Sequence, residues 1–200
     1  MNSAAPPDSL VPLAARLRAL PPSCGPVRLI AVDGHAGSGK STFAGHLADA
    51  LGGAPVLHLD DLASHEELFA WTDRLCTQVT GPLSRGERAR YAPYDWTLRR
   101  FGPQRYELPP APVVLVEGVG AGRRALRPVL AHLLWMDLDA DRSWRRGRER
   151  DGTEQSAFWD GWTRAETEHF SADPSRPFAD TLVRQLQEGY EWRQGAHATA

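Results

Sequence analysis

The chain has 200 residues, 42% of them hydrophobic, and a formal net charge of -2; this supports one compact domain with a sizeable core and offers no basic field for nucleic acid. Its two cysteines, Cys24 and Cys76, match no metal or redox spacing and read as free thiols of a reducing compartment. No stretch approaches the roughly 20 apolar residues of a membrane span, and the start lacks a charged segment followed by an apolar one, so a cytoplasmic protein without membrane attachment is expected.

In chain order, residues 1–7 read as a loose tail, and Asp8 or Ser9 can cap a short helix through Leu20 that lines up Leu10, Leu13 and Leu17. Pro21-Pro22 and Gly25-Pro26 end it, so residues 1–26 form a tail with a helix and 27–200 a single domain. Val27–Val32 is an apolar strand followed by Gly34-His35-Ala36-Gly37-Ser38-Gly39-Lys40-Ser41-Thr42 and a helix carrying Phe43, Leu47 and Leu51. Pro55–Leu59 is a second strand, ending at Asp60-Asp61. His65–Leu83 has helical spacing, with Leu68, Trp71, Leu75 and Val79 on its buried side. Residues 84–110 have no clear period, and so long an irregular segment marks a functional loop. Pro112–Val116 is a strand closed by Glu117-Gly118. A helix around Arg123–Leu130 leads to the strand Leu133–Leu138. A basic helix over Asp141–Arg150, a helix over Ala157–Phe170 and a strand over Ala179–Val183 follow.

This alternation, with Gly34–Ser41 fitting the phosphate-binding loop G-x-x-x-x-G-K-[ST] between first strand and helix, predicts an α/β protein: a three-layer α/β/α P-loop fold with a mainly parallel five-stranded sheet and a short lid at about 142–156. Ligands of such sheets collect at the carboxyl ends of the strands. The glycine loop, Asp60-Asp61, Glu117 and Asp139 all follow strands and are expected on one edge.

Gly34 to Ser41 fits G-x-x-x-x-G-K-[ST] without mismatch. Glycines let successive N–H groups turn inward as a nest for phosphate oxygens, at a helix N-terminus that favours anions. Lys40 brings charge to the β- and γ-phosphates, and the Ser41 hydroxyl is placed for Mg²⁺. Asp60 either takes a proton from an acceptor hydroxyl and neighbours Mg²⁺, or caps the next helix. Glu117 either reaches Mg²⁺ or caps the Val119–Gly122 turn. Arg142, Arg146 and Arg150 share one helical face, which is either a solvated surface or a lid that stabilises charge on a moving phosphoryl group. Trp71, Tyr91, Tyr94 and Trp96 can stack on a flat ring or belong to the core.

With these pieces placed, the chain resembles the uridine kinase family of P-loop kinases from about Arg28 to Val183. Val56-Leu57-His58-Leu59-Asp60-Asp61 is similar to the family's second strand, Leu83–Glu87 with Tyr94-Asp95-Trp96 to its nucleoside-pocket segment, and Val113–Gly118 to its "V-V-L-x-E-G" strand. Asp137–Asp141 with Arg146, Arg150 and Asp151 resembles its lid, and Ala165-Glu166…Phe170 with Arg176–Asp180 its late segment. The resemblance implies ATP- and Mg²⁺-dependent transfer to a hydroxyl of a nucleoside-like acceptor. Lys40 would bind phosphates, Ser41 and Glu117 would support Mg²⁺, Asp60 would be the base, and Arg146 and Arg150 would belong to the lid. Asp61, Tyr94, Asp95, Trp96 and Arg99 are the candidate acceptor residues.

The chain departs from the family between Asp60 and Trp71, where the stretch holding the ribose hydroxyls is missing and only His65, Glu66 and Asp73 are nearby. Thr97-Leu98-Arg99-Arg100 offers no His for a base. Another hydroxylated metabolite therefore stays open as acceptor, as does a P-loop ATPase module that regulates a partner, or a homo-oligomer whose second subunit completes the site.

Overall fold

A computed structural model describes residues 7–196, so all of the expected tail but Pro7 lies outside the described residues. The sheet is built from β1 (Arg28–Asp33), β2 (Val56–His58), β7 (Val113–Glu117), β8 (His132–Met136), β9 (Thr181–Gln185) and β10 (Tyr190–Gln194), in the order β10-β9-β8-β1-β7-β2. The first five are parallel, as expected from the alternation, and β10 adds an antiparallel edge to β9. The sheet thus has six strands rather than five.

Strand periodicity explains why β1 reads as an unbroken apolar run. Leu29 and Ala31 enter one core with Leu57, Val114, Val116 and Leu133, while Ile30 and Val32 enter another with Leu115, Leu134 and Val183. A strand covered on both faces has no polar side to display. The second core is closed by α1 (Val11–Arg18) and α2 (Lys40–Ala50), through Leu13, Leu17, Phe43 and Leu47. The first is closed by Leu75, Val79 and Leu83 of the helical stretch formed by α3 (Thr72–Leu75), a π turn (Cys76–Thr80) and α4 (Gly81–Ser84).

Three local expectations are corrected. The helix read from His65 begins only at Thr72, because the preceding backbone is bonded elsewhere: Ser64 Oγ accepts from the Glu67 N–H, and Arg123 donates to the Phe69 carbonyl. Its π turn sits where the Gly81 N–H reaches back to the Cys76 carbonyl, just before Pro82, which has no N–H to donate. The helix read over Arg123–Leu130 is reduced to a 3₁₀ turn, Arg127–Val129, containing Pro128. Ser9 does not cap α1; its hydroxyl accepts the Tyr190 N–H of β10 instead.

The irregular segment folds into two small antiparallel ladders, β3 (Ala89–Tyr91) with β6 (Tyr106–Leu108) and β4 (Tyr94–Asp95) with β5 (Arg100–Phe101). The basic and following helices are α5 (Ala140–Asp151) and α6 (Ser156–Ala172). They meet where Gly147 lies against the buried ring of Trp159, into which a Cβ would run. Gly147→Ala is therefore expected to destabilise the protein by about 2 kcal/mol despite its better helix propensity, read as a lower midpoint in thermal unfolding.

Candidate active site

The phosphate loop is fixed from below by Asp33, the last residue of β1. Its carboxylate is fully buried and accepts the N–H groups of Gly34 (2.7 Å), Gly120 (2.9 Å) and Gly122 (2.8 Å). One side chain thereby joins the loop after β1 to the loop after β7. Above it, Lys40 Nζ donates to the His35 carbonyl at 3.0 Å and draws the loop into a ring. Gly37 has φ +82°, and a Cβ there would stand inside the Ser143 carbonyl of α5. The basic helix is thus seated directly on the loop.

A cavity of about 360 Å³ opens over this ring, lined among others by Lys40, Ser41, Asp60, Glu117, Arg146 and Arg150. Thr42, Ala36, Gly37 and Gly39 line it as well. Sequence positions 40, 60, 117 and 146–150 therefore converge, as the strand-end argument requires. Ser38 Oγ is buried and, among the described residues, has no hydrogen-bond partner; its side chain lines the neighbouring cavity.

The two acids titrate in opposite directions. Although Asp60 is exposed to the cleft, the protein crowded around it and the negative charge of Glu117 push its carboxyl above the ordinary carboxylate range, and Lys40 and His58 only partly offset this. Burial acts on Glu117 in the same direction, but there the bond from His58 Nδ1 (2.5 Å), the Lys40 charge and a bond from Ser41 prevail, and it lies below that range. Glu117 stays an anion while Asp60 is poised to exchange a proton.

Ser41 and Glu117 are hard oxygen donors beside the phosphate ring, which suits Mg²⁺. Among the described residues no three His, Cys, Asp or Glu side chains are grouped to hold a metal. The donor set fits a cation held by one or two protein oxygens and completed by phosphates, as Mg²⁺ prefers.

A second cavity, about 470 Å³, adjoins the first, and Ala36, Asp60, Arg150 and Trp162 line both. Its other walls are mainly aromatic: His65, Trp96, Phe158 and Trp159. Trp96 Nε1 donates to the Asp60 carbonyl, and the Tyr94 hydroxyl lies 3.0 Å from His65 Nδ1, so Tyr94 supports the wall from behind. Asp61 accepts from the Tyr91 hydroxyl, Asp95 accepts the Thr97 and Leu98 N–H groups of its own turn, and Arg99 stands at φ +53° near Glu66. None of those three lines either cavity; Asp61 and Asp95, with Tyr94, line a separate cavity of about 500 Å³ instead, and Arg99 does not. Trp71 and Tyr91 are core residues, with Arg123 laid over the Trp71 ring.

A third cavity, about 700 Å³, lies on the other side of the loop between α5 and β9–β10 and includes Ser38, Asp137, Asp139, Arg142 and Arg146. The arginine face thus divides: Arg150 lines the phosphate-ring and aromatic cavities, Arg142 the third cavity, and Arg146 stands between, lining both the phosphate-ring and the third cavity. Asp139 caps α5 by accepting the Arg142 N–H. Sequence reasoning missed Asp33, His58 and the α6 wall. An acid between an apolar run and a glycine loop was the available signal for the first, and the Phe158-Trp159-x-x-Trp162 cluster for the last.

No family model matches the chain. Among solved structures it is similar to a possible uridine kinase from Bacillus stearothermophilus, at 17% identity and TM-score 0.59, over 88% of this chain and 97% of that one. A candidate fructose transport system kinase from Silicibacter sp. TM1040 aligns at 21% identity and TM-score 0.55, over 81% and 88%. A D-glycerate 3-kinase from Cryptococcus neoformans var. grubii aligns at 14% and 0.55, over 92% and 96%. The chain therefore has a P-loop kinase-type fold.

Asp33→Ala leaves three buried N–H groups without an acceptor and should lower stability by about 3 kcal/mol, measured by urea denaturation.

Proposed function

We propose that the chain is an ATP- and Mg²⁺-dependent small-molecule kinase that transfers the γ-phosphoryl group to a hydroxyl of a nucleoside-like acceptor. The observation that supports this most is that Asp60 and Arg150 line both the phosphate-ring cavity and the aromatic cavity. A hydroxyl entering from the aromatic side and a phosphoryl group seated over Lys40 would meet at those two residues. Asp60 takes the hydroxyl proton as the new O–P bond forms and the bond to the ADP oxygen breaks. Lys40, Arg146 and Arg150 offset the charge on the transferring oxygens. Bound at Ser41 and Glu117, Mg²⁺ would neutralise phosphate charge. The third cavity is of a size for the nucleoside end of the triphosphate.

A second reading, with another hydroxylated metabolite as acceptor, is favoured by the missing ribose-holding stretch between Asp60 and Trp71. A regulatory ATPase module is the reading from a different class. No helix among the described residues is long and apolar enough to cross a membrane. A transfer screen with ATP·Mg²⁺ against nucleosides, sugars and other hydroxylated metabolites, reading ADP and product mass, separates the three. ADP release without any acceptor dependence or phosphorylated product would sink the kinase reading.

Lys40→Ala is expected to reduce transfer by about 10²–10³-fold. Asp60→Asn should keep nucleotide affinity and lose about 10³-fold in turnover; near-normal turnover would remove Asp60 as the base. Because the Asp60 carboxyl is displaced upward by the surrounding protein and by Glu117, and only its ionised form accepts a proton, kcat/KM should fall on acidification. The midpoint should lie above the ordinary carboxylate range, read from the kcat/KM–pH profile, which reports the free enzyme.

A further inference from the structure

Glu166 lies in the middle of α6, one turn beyond Trp162, and is fully buried. Its two oxygens receive four donors. Oε1 accepts from His35 Nδ1 (2.7 Å) and Trp144 Nε1 (3.0 Å); Oε2 accepts from the Ala36 N–H (3.1 Å) and Trp162 Nε1 (2.8 Å). An ionised carboxylate has about four lone-pair sites, so each is in use. Burial would raise the carboxyl, but the bonds from His35 and Trp162 hold it below the usual range. The His35 ring is further held edge-on by Trp135, Trp144 and Phe170, at centroid distances of 5.4, 6.0 and 5.2 Å.

Each tied element contributes to the cleft. His35 and Ala36 belong to the phosphate loop, and Ala36 lines both cavities. Trp144 belongs to α5, which carries Arg146 and Arg150. Trp162 belongs to α6 and forms the wall shared by the two cavities. Loop, arginine helix and aromatic wall therefore take their relative positions from one charged group.

We propose that Glu166 is a positioning residue that sets the phosphate loop in register with the arginine helix and the aromatic wall, and so governs nucleotide affinity without touching nucleotide. This rests on the kinase reading above. Glu166→Gln is the informative change, because it keeps the shape but turns one acceptor oxygen into an N–H₂ donor aimed at two other donors. Trp144→Phe and Trp162→Phe each delete one donor while keeping a ring and the carboxylate.

The test is calorimetric titration of the full chain with a non-hydrolysable ATP analogue and Mg²⁺, together with tryptophan emission and the split of KM for ATP from kcat. Folded Glu166→Gln should bind the analogue roughly tenfold more weakly and lose the emission change on binding, with the effect on transfer in KM for ATP rather than kcat. Trp144→Phe should move the same way by a smaller factor. A purely structural role would lower the unfolding midpoint and leave the affinity of the folded protein unchanged, which overturns the proposal. If Glu166→Gln does not fold, unchanged affinity in both tryptophan variants overturns it equally. Wild-type protein that binds no nucleotide would overturn the kinase reading with it; wild-type binding and transfer with unaffected variants would overturn this proposal alone.

Discussion

The buried Asp33 carboxylate is the fixed point around which the cleft is arranged. Backbone N–H groups cannot be left unpaired inside a protein without a cost comparable to a lost hydrogen bond. Gly34, Gly120 and Gly122 leave their strands with N–H groups pointing inward, and a single side chain receives all three. The consequence is geometric. The loop that carries Lys40 and the loop that follows Glu117 cannot drift apart, so the charges of those two residues keep a constant relation. Lys40 in turn helps hold Glu117 ionised.

Charge in the cleft is graded rather than merely accumulated. Glu117 has a histidine, a lysine and a serine hydroxyl to stabilise its anion, whereas among the described residues no side-chain bond supports Asp60, and Glu117 repels its charge. Two carboxylates near one phosphate ring thereby acquire different roles from environment alone. Arg150 sits between them and the aromatic cavity, already paired bidentately with Asp151. Its position is set in advance, which reduces the ordering needed when a ligand arrives.

The sequence was most legible where residue identity and position carry the same information. The glycine loop is one case, since its backbone needs glycines and its charge needs Lys40. β1, β7 and β8 are another, because strands covered on both faces can only be apolar. β10 was missed because Tyr190 and Trp192 face inward while their neighbours are charged, a five-residue alternation after a segment that already looked complete. The stretch 65–71 has helical spacing, but side chains distant in sequence, Arg123 among them, claim its backbone. The aromatic cavity was half legible: Trp96 was named, but which face of α6 looks into the cleft depends on how that helix packs. Asp33 left a signal, an acid between an apolar run and a glycine loop, but the anchoring role of Glu166 was illegible, since its partner His35 lies 131 positions away.

The bond from the Tyr190 N–H to Ser9 Oγ, and the one from Trp192 Nε1 to the Ser9 carbonyl, span 181 and 183 positions. On a ribosome, α1 therefore emerges long before the strand that fastens it. β1, at the centre of the sheet, must likewise wait for both of its neighbours, which begin at Val113 and His132. Until then its apolar faces have only local helices to shelter them. A chain wired this way gathers its late contacts at high loop-closure cost, and its central strand is sealed only when most of the sequence has been made.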